Sequence, residues 1–524
     1  MVGHAIPHNA EQEDSQDLKR NSILKTVFSV TGVIVLAKFL GFFKQMLTAS
    51  AFGATIETDL ITLSQSFVGN TQYLLVQVLL SSFTSVYIHT RETDGENAAG
   101  RFYADTLKVF SLLVFAVCTL ILFASGPLSH LLAPSYDAVQ SGRLALYLRL
   151  FAPVLLLYTW IAILRAGLNA HDRFVPGELT SAFQSAIFIL CIALLTPHLG
   201  IWVLSVGFWT AAVWNALFLF LLSRRQIVRS KGNPFRSAQV RSLLRMALPL
   251  LLGQGAIYAN QMVDKILISG LEEGAVTAIH YSGVLSTLIT TFITAFCAIL
   301  FTRVVEHTAG GRHENAAKLT QTAAVLLTAL FLPITLLSAY CAQDVVSIVY
   351  GRGAYGGEGI DMSAAGLRGY AVMFVPLAVR ELYSRLCYAY QDSRRPMVNA
   401  TVGIVCNIAL SIALCPHYGI FGVALASSFS EVISGILDIF SARRHNASVH
   451  LTPLLRLLPL LGVGSAACLL TARWVSRHLT SQGSLVRFVG VSASSLCIYA
   501  LVISPLLWKL WKQLLAQKHP NSAA

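Results

Sequence analysis

Fourteen mostly apolar stretches, each long enough to cross a bilayer as a helix, run through this chain and exclude most other architectures. Their approximate limits are 23–53, 60–89, 104–132, 141–170, 176–197, 199–223, 240–270, 275–304, 314–341, 364–391, 396–415, 419–442, 453–473 and 485–511. The residues between them are too few to build a soluble domain. Charge supports the same conclusion: of 524 residues only 12% are charged and 55% are hydrophobic. A soluble chain carries about 25% charged residues, so most of this surface faces lipid. The expected fold class is an all-α polytopic membrane protein with 14 transmembrane helices.

The formal net charge is +13. Nucleic-acid binding would need a basic soluble face, and no polar stretch is long enough to fold into one. The basic residues gather instead in alternate connections. Arg224, Arg225, Arg229, Lys231, Arg236 and Arg241 lie between segments 6 and 7. Arg91, Arg101, Arg173, Arg303, Arg312, Arg394, Arg395, Arg443 and Arg444 lie in other even-to-odd connections, whereas 54–59, 271–274 and 416–419 are almost free of Lys and Arg. The positive-inside rule then predicts both termini in the cytoplasm. The first apolar stretch is too long for a cleaved signal peptide and contains Lys38 and Lys44, so it is expected to stay as the first helix. The nine cysteines all fall in or at the ends of apolar runs with no CxxC pair. They are expected as small buried hydrophobes rather than metal ligands or disulfides.

An internal repeat organises the spans. Segment 4 runs into Arg165-Ala-Gly-Leu-Asn-Ala-His-Asp172 and then Pro176, and segment 10 runs into Arg385-Leu-Cys-Tyr-Ala-Tyr-Gln-Asp392 and then Pro396. Arg, Asp and Pro each recur at an offset of 220, and Pro197-His-Leu-Gly-Ile201 recurs as Pro416-His-Tyr-Gly-Ile420 at 219. Six helices separate the copies, an even number, so the halves are parallel repeats. The expected organisation is a polar N-terminus (1–22), an N-lobe of helices 1–6 (23–225), a basic linker (226–242), a C-lobe of helices 7–12 (243–445), helices 13–14 (446–515) and a tail (516–524).

Two facing six-helix lobes commonly work by alternating access around a site near the midplane. Ionisable residues deep in apolar segments point to such a site, because a charge at the bilayer centre costs at least ~2.5 kcal/mol. Lys44 lies nine residues before Gly53, about 13 Å along a helix. Lys38 is deeper still, Asp59 follows at the start of segment 2, Asp264 and Lys265 lie in segment 7, and Arg380 lies in segment 10. Structural roles compete with functional ones. Lys265 is close enough to a helix end to snorkel, and Glu381 and Arg385 are spaced four apart to pair on one helix face. Cations in a wet, low-dielectric cleft attract an anion, and pyrophosphate suits several ammonium and guanidinium groups at once. A drug antiporter would more often place carboxylates there.

Lys38-Phe-Leu-Gly-Phe-Phe-Lys44, Phe52-Gly-Ala54 and Thr58-Asp59 resemble the first-helix signature of the MurJ/MviN family, within the multidrug/oligosaccharidyl-lipid/polysaccharide exporter superfamily. Asn260-Gln-Met-Val-Asp-Lys265, Gly270-Leu-Glu-Glu-Gly-Ala275 and His280-Tyr281 resemble its seventh helix and the following turn. Tyr388-Ala-Tyr-Gln-Asp392, Pro396 and Gly419-Ile-Phe-Gly-Val-Ala424 resemble its helix 10 to 12 region. The resemblance implies a bacterial inner-membrane flippase for the undecaprenyl-pyrophosphate-linked peptidoglycan precursor, lipid II, with cell-wall or polysaccharide synthesis machinery as partner. It implies pyrophosphate held in a cationic cavity at Lys38, Lys44 and Asp59, a tail groove shaped by the last two helices, and no cofactor beyond sodium, which some members bind, as a coupling ion at Asp264 and Asp392; the charges deep in the apolar segments add Lys265 and Arg380 to the expected cavity.

Several positions depart from the family pattern. Lys38 and Lys44 stand where Arg is usual, and Lys lacks the planar fork that grips phosphate at two points. Gln45 and Gln72 replace an acid and an Arg, and Gly283, Val284 and Thr287 occupy a usually charged run. An exopolysaccharide, capsule or O-antigen unit on the same carrier is therefore the alternative cargo, and a drug:cation antiporter a third. A membrane polymerase or ligase would need a large catalytic loop. The longest candidate, 342–363, holds Tyr350-Gly-Arg-Gly-Ala-Tyr-Gly-Gly without a paired base and nucleophile, and is expected as a flexible loop. No phosphate-binding loop motif for ATP is present.

Overall fold

The computed structural model describes residues 8–230, 232–450 and 452–518. Met1–Pro7 of the expected N-terminus, Lys231 of the linker and the last six residues of the tail lie outside them. Among the described residues the chain is helical throughout, with no strand. The helices are α1 (His8–Phe52), α2 (Ile56–Asp94), α3 (Glu96–Leu132), α4 (Ala138–Phe151), α5 (Val154–Asn169), α6 (Val175–Leu199), α7 (Val203–Ser223) and α8 (Ala238–Ile268). They continue as α9 (Ala275–Ala309), α10 (His313–Tyr340), α11 (Ala342–Tyr350), α12 (Gly357–Ala371), α13 (Phe374–Ala389), α14 (Arg394–His445), α15 (Thr452–His478) and α16 (Ser484–Lys518).

Eleven helical stretches are long and apolar enough to cross a membrane, and α8, bent by 40° between Leu251 and Gly253, makes a twelfth. Pro249 beside that bend supplies no N–H to the helix ladder. Two of the eleven are double spans. The 52 residues of α14 would reach ~78 Å if straight, against a hydrocarbon core of ~30 Å. Breaks at Gly200, between α6 and α7, and at Gly419, inside α14, turn each into two crossings and restore the expected fourteen.

The internal repeat is written into the backbone. Gly200 has φ 54° and ψ −137°, and Gly419 has φ 54° and ψ −135°. That conformation is open to glycine alone, and the two sit at the sequence offset of 219. The kink between α4 and α5 at Ala152-Pro153 likewise recurs 220 residues later between α12 and α13 at Val372-Met373. Left-handed turn residues follow both pairs, Asp172 (φ 57°) and Gln391 (φ 60°).

By internal contacts the chain divides into two compact units. One runs up to Ala51 and adds Ser64–Ser129 and Ala138–Tyr258; the other holds Phe52–Leu63, His130–Asp137 and Ala259 onward. This differs from the division expected at 226–242, for identifiable reasons. The linker is fastened to the first unit by Val228 N–H to Gly100 O (3.1 Å) and Lys108 Nζ to Ser230 O (2.8 Å). Residues 130–137 are held in the second unit by Ser135 Oγ donating to Ser269 O (3.1 Å). The helix α1 also extends back to His8, so the polar stretch before residue 23 continues the first helix rather than forming a separate tail.

The first unit holds a cluster of packed aromatics: Phe83 stacks on Phe102 at 5.2 Å and meets Tyr103 edge-on at 5.1 Å between ring centroids. The second has a core of Phe374, Tyr383, Leu386, Phe331 and Ile293, with a satellite cluster joining α10 to α15 and α16. Tyr499 of α16 donates to Ala329 O of α10 at 2.9 Å within that satellite. Large apolar side chains such as Phe123, Leu194, Ile299, Leu470 and Leu501 are exposed, as a lipid-facing surface requires. The cysteines are free. Most are buried as expected, but Cys497 is exposed on α16. The expected flexible loop at 342–363 is instead mostly α11 and the start of α12. Its tyrosines, Tyr350 and Tyr355, are buried against Tyr281, and Asp344 on α11 is gripped by Arg487 of α16. Glycine density overstated its freedom because these anchors come from distant sequence.

Candidate functional site

In the first unit, Lys44 of α1 places its ammonium 4.9 Å from the centroid of the Phe188 ring on α6. No carboxylate accompanies it among the described contacts, so the ring face is its counter-charge. Lys38, two turns earlier, is exposed and has no partner among the described residues. Of the cations expected to grip pyrophosphate, Lys38 is therefore the one left wholly available.

In the second unit, Asp59 is tied into the protein's own backbone. Its carboxylate is 2% exposed; Oδ2 accepts from Gly274 N–H at 2.9 Å and Oδ1 from Thr277 N–H at 2.7 Å. Both oxygens thus cap the first turn of α9, where free N–H groups and the helix dipole favour an anion. The surrounding joint is close-packed. Glu273 accepts from Ile56 N–H at 2.9 Å, and a Cβ on Gly53 or Gly274 would sit 2.5 or 2.6 Å from the carbonyl oxygen of Ala354 or Ala54. Both carboxylate oxygens of Asp59 are engaged by backbone N–H groups.

Arg380 is also spoken for. Its Nε lies 2.7 Å from Glu431 Oε2 in an ion pair without hydrogen-bond alignment, and its Nη2 donates to Glu381 Oε1 at 3.3 Å. Glu381 in turn accepts from Arg385 at 3.2 Å, the pairing that the four-residue spacing predicts. Close by, Asp438 accepts from Asn399 Nδ2 at 2.6 Å and from Ser384 Oγ. Glu431 and Asp438 are functional-site candidates that the sequence reasoning passed over. The rule that singled out Arg380 applies to them equally, since both sit inside the twelfth apolar segment.

The two acids expected to share an ion lie in separate clusters. Asp264 is buried and accepts from Ser411 Oγ at 3.0 Å, with Asn407 one turn away bonded to Ser427 Oγ at 3.0 Å. Lys265 follows it on α8, partly buried. Asn260, one helical turn before Asp264, keeps a buried side-chain oxygen with no hydrogen-bond partner. Asp392 is instead built into the turn between α13 and α14. Its Oδ1 accepts from the N–H groups of Arg394 and Arg395 at 3.0 and 3.1 Å, and its Oδ2 lies 2.7 Å from His445 Nε2. Those hydrogen bonds, that of His445 foremost, hold its carboxyl below the usual carboxylate range. Among the described residues no group of three or more His, Cys, Asp or Glu is placed to hold a metal ion.

The lipid II flippase MurJ family matches residues 48–512. A probable lipid II flippase MurJ of Rhizobium tropici is 23% identical over 528 residues, covering 96% of this chain and 98% of its own length. Among solved structures, a lipid II flippase MurJ in an inward closed conformation superposes with a TM-score of 0.78 at 17% identity, over 92% of this chain and 99% of that one. An inward-facing multidrug-resistance MATE transporter of the MOP superfamily gives 0.66 at 13% identity, over 80% of this chain and 98% of that one. These structural likenesses concern the fold. The family match spans nearly all fourteen helices, and the chain belongs to the lipid II flippase MurJ family.

Proposed function

We propose that this protein is a flippase of the bacterial inner membrane, both termini cytoplasmic, that carries undecaprenyl-pyrophosphate-linked lipid II to the outer leaflet by alternating access. The observation that supports this most is the family match over 48–512, joined to a lysine, Lys38, that stands in the first apolar segment without a partner among the described residues. Lys38 and Lys44 are the residues assigned to the pyrophosphate. Lys44 would leave the Phe188 ring for it, a loss of about 2 kcal/mol for a partly desolvated cation–π contact that the charge of the pyrophosphate offsets. Arg380 and Asp59 serve the protein's own ion pair and helix cap, and act through conformation rather than contact. No catalytic step is assigned, and cell-wall synthesis enzymes that consume an outward-facing lipid-linked sugar are the functional partners.

For a coupling cation, Asp264 fits and Asp392 does not. The carboxylate of Asp264 with the hydroxyl of Ser411 offers oxygen ligands, as a hard cation such as sodium prefers, and Asn260 one helical turn away has a buried side-chain oxygen to spare. Asp392 is committed to its turn and to His445. The test is depletion of the resident flippase from a bacterium expressing this chain, with outer-leaflet lipid II read by an impermeant enzyme that cleaves it. Restored growth and lipid II exposure are expected. Exposure of a different lipid-linked glycan without lipid II would replace the cargo, and no exposure of either would refute the function. An unchanged sodium dependence in Asp264→Asn would remove the ion site alone.

A further inference from the structure

We propose that a basic pocket where the two ends of α14 meet binds the phosphodiester headgroup of an anionic phospholipid. The break at Gly419 folds α14 back, so His445 at its end returns to Asp392 just before its start, 2.7 Å apart. Between them lies a cavity of about 540 Å³, rimmed by Arg394, Arg395, Arg444 and His445. Its wall combines the apolar Val398, Leu437 and Phe440 with the buried polar Asn399 and Ser441.

The charges are unbalanced in favour of an anion. Three guanidiniums face one carboxylate, and Asp392 is already occupied by two backbone N–H groups, Arg395 (3.3 Å) and His445. Within the cluster, His445 Nε2 lies 2.7 Å from both Arg395 Nη1 and Asp392 Oδ2. It accepts from the first or donates to the second and cannot do both, so when His445 donates to Asp392 the Arg395 guanidinium keeps only its 3.3 Å ion pair with that carboxylate. The guanidiniums of Arg394 and Arg444 are exposed and have no partner among the described residues. Guanidinium forks match the non-ester oxygens of a phosphate.

The apolar wall decides between a lipid and a soluble phosphate. Val398 is 49% and Phe440 52% exposed. Each lies four residues further into a span from an unpaired arginine, Val398 from Arg394 and Phe440 from Arg444, about 6 Å deeper along the helix. Charge at the rim and exposed hydrocarbon one turn below suit an amphiphile lying along the helices, and basic pockets between membrane helices on the cytoplasmic side bind such headgroups. Only part of the feature recurs in the repeat. At the offset of 220, Arg444 corresponds to Arg224, whereas Arg394 and Arg395 correspond to Phe174 and Val175, which carry no charge.

The test is native mass spectrometry of the full chain purified in detergent, titrated with phosphatidylglycerol, phosphatidylcholine or inorganic phosphate. Each interfacial arginine contributes about fivefold in affinity for an anionic lipid. Arg394→Ala or Arg444→Ala should therefore weaken phosphatidylglycerol retention about fivefold and the pair about thirtyfold, with phosphatidylcholine unaffected. Arg303→Ala, a basic control on α9 paired with Glu306 and outside the pocket, should leave retention unchanged. Both pocket side chains are exposed and unpaired, so their loss leaves the fold intact. Phe440→Gln provides a second handle and should also weaken the lipid. Undiminished phosphatidylglycerol retention in the double variant overturns the site. Equal loss in Arg303→Ala shows a diffuse surface field instead, and displacement of the lipid by millimolar inorganic phosphate shows a soluble-anion site.

Discussion

Replacing Asp59 tests whether the first turn of α9 depends on a single side chain brought from 215 residues earlier in the chain. Its two oxygens satisfy Gly274 N–H at 2.9 Å and Thr277 N–H at 2.7 Å in a site 2% exposed, so water cannot replace them without local opening. Hydrogen bonds to a charged acceptor contribute ~1.5–3 kcal/mol each against ~0.5–1.5 for neutral ones. Asp59→Asn keeps one acceptor oxygen and loses the charge, which costs about 2 kcal/mol with the dipole term included. Asp59→Ala orphans both donors and costs about 4 kcal/mol. Amide hydrogen exchange over 274–278, followed by mass spectrometry in detergent, reads this locally. Exchange should accelerate about thirtyfold in the Asn variant and several-hundredfold in the Ala variant, since ~1.4 kcal/mol is a factor of ten. Amides at the far end of α9, near Thr308, should be unchanged. If Asp59→Ala exchanges at the wild-type rate over 274–278, the cap is not what holds this turn. Acceleration spread evenly along α9 would mean that the whole helix, not its first turn, relies on the contact.

Arg380→Ala leaves Glu431 partly buried without its cation and Glu381 with Arg385 alone, and should lower stability by ~3 kcal/mol, the low end for a broken buried pair given side-chain exposures of 21–24%. Arg380→Met combined with Glu431→Gln should recover part of that loss in a double-mutant cycle, and strict additivity would deny the pairing. Lys44→Met should fold normally but abolish lipid II exposure, while Lys44→Arg should retain it because guanidinium also stacks on Phe188 and grips phosphate; wild-type exposure in the Met variant would remove Lys44 from the cargo site. Single cysteines at Ser230 and Gly356 should label from the cytoplasmic and the outer side respectively, and labelling from one side only would overturn the topology.

How far the sequence reveals this protein depends on the distance over which each feature is encoded. The spans, and even their doubling back at Gly200 and Gly419, are local: a proline, a glycine and flanking apolar residues lie within five positions, and the backbone angles of the two copies agree within 2°. The Arg385–Glu381 pair is equally local and follows from spacing. The site failed to be legible wherever its partner sits far along the chain. Arg380 looked like a free cation because Glu431, which neutralises it, lies 51 positions later on a helix that folds back. Asp59 looked like a cavity acid because the N–H groups it caps belong to a helix that begins only at Ala275. Asp392 matched a motif position for an ion ligand, yet its oxygens are consumed by its own turn and by His445, which only the Gly419 break returns to it. An intramembrane charge thus marks where a cost must be offset, not by what. Lys38 differs from these in that no element of the described fold comes to meet it, which is the condition under which a cation in a membrane segment is left for a ligand.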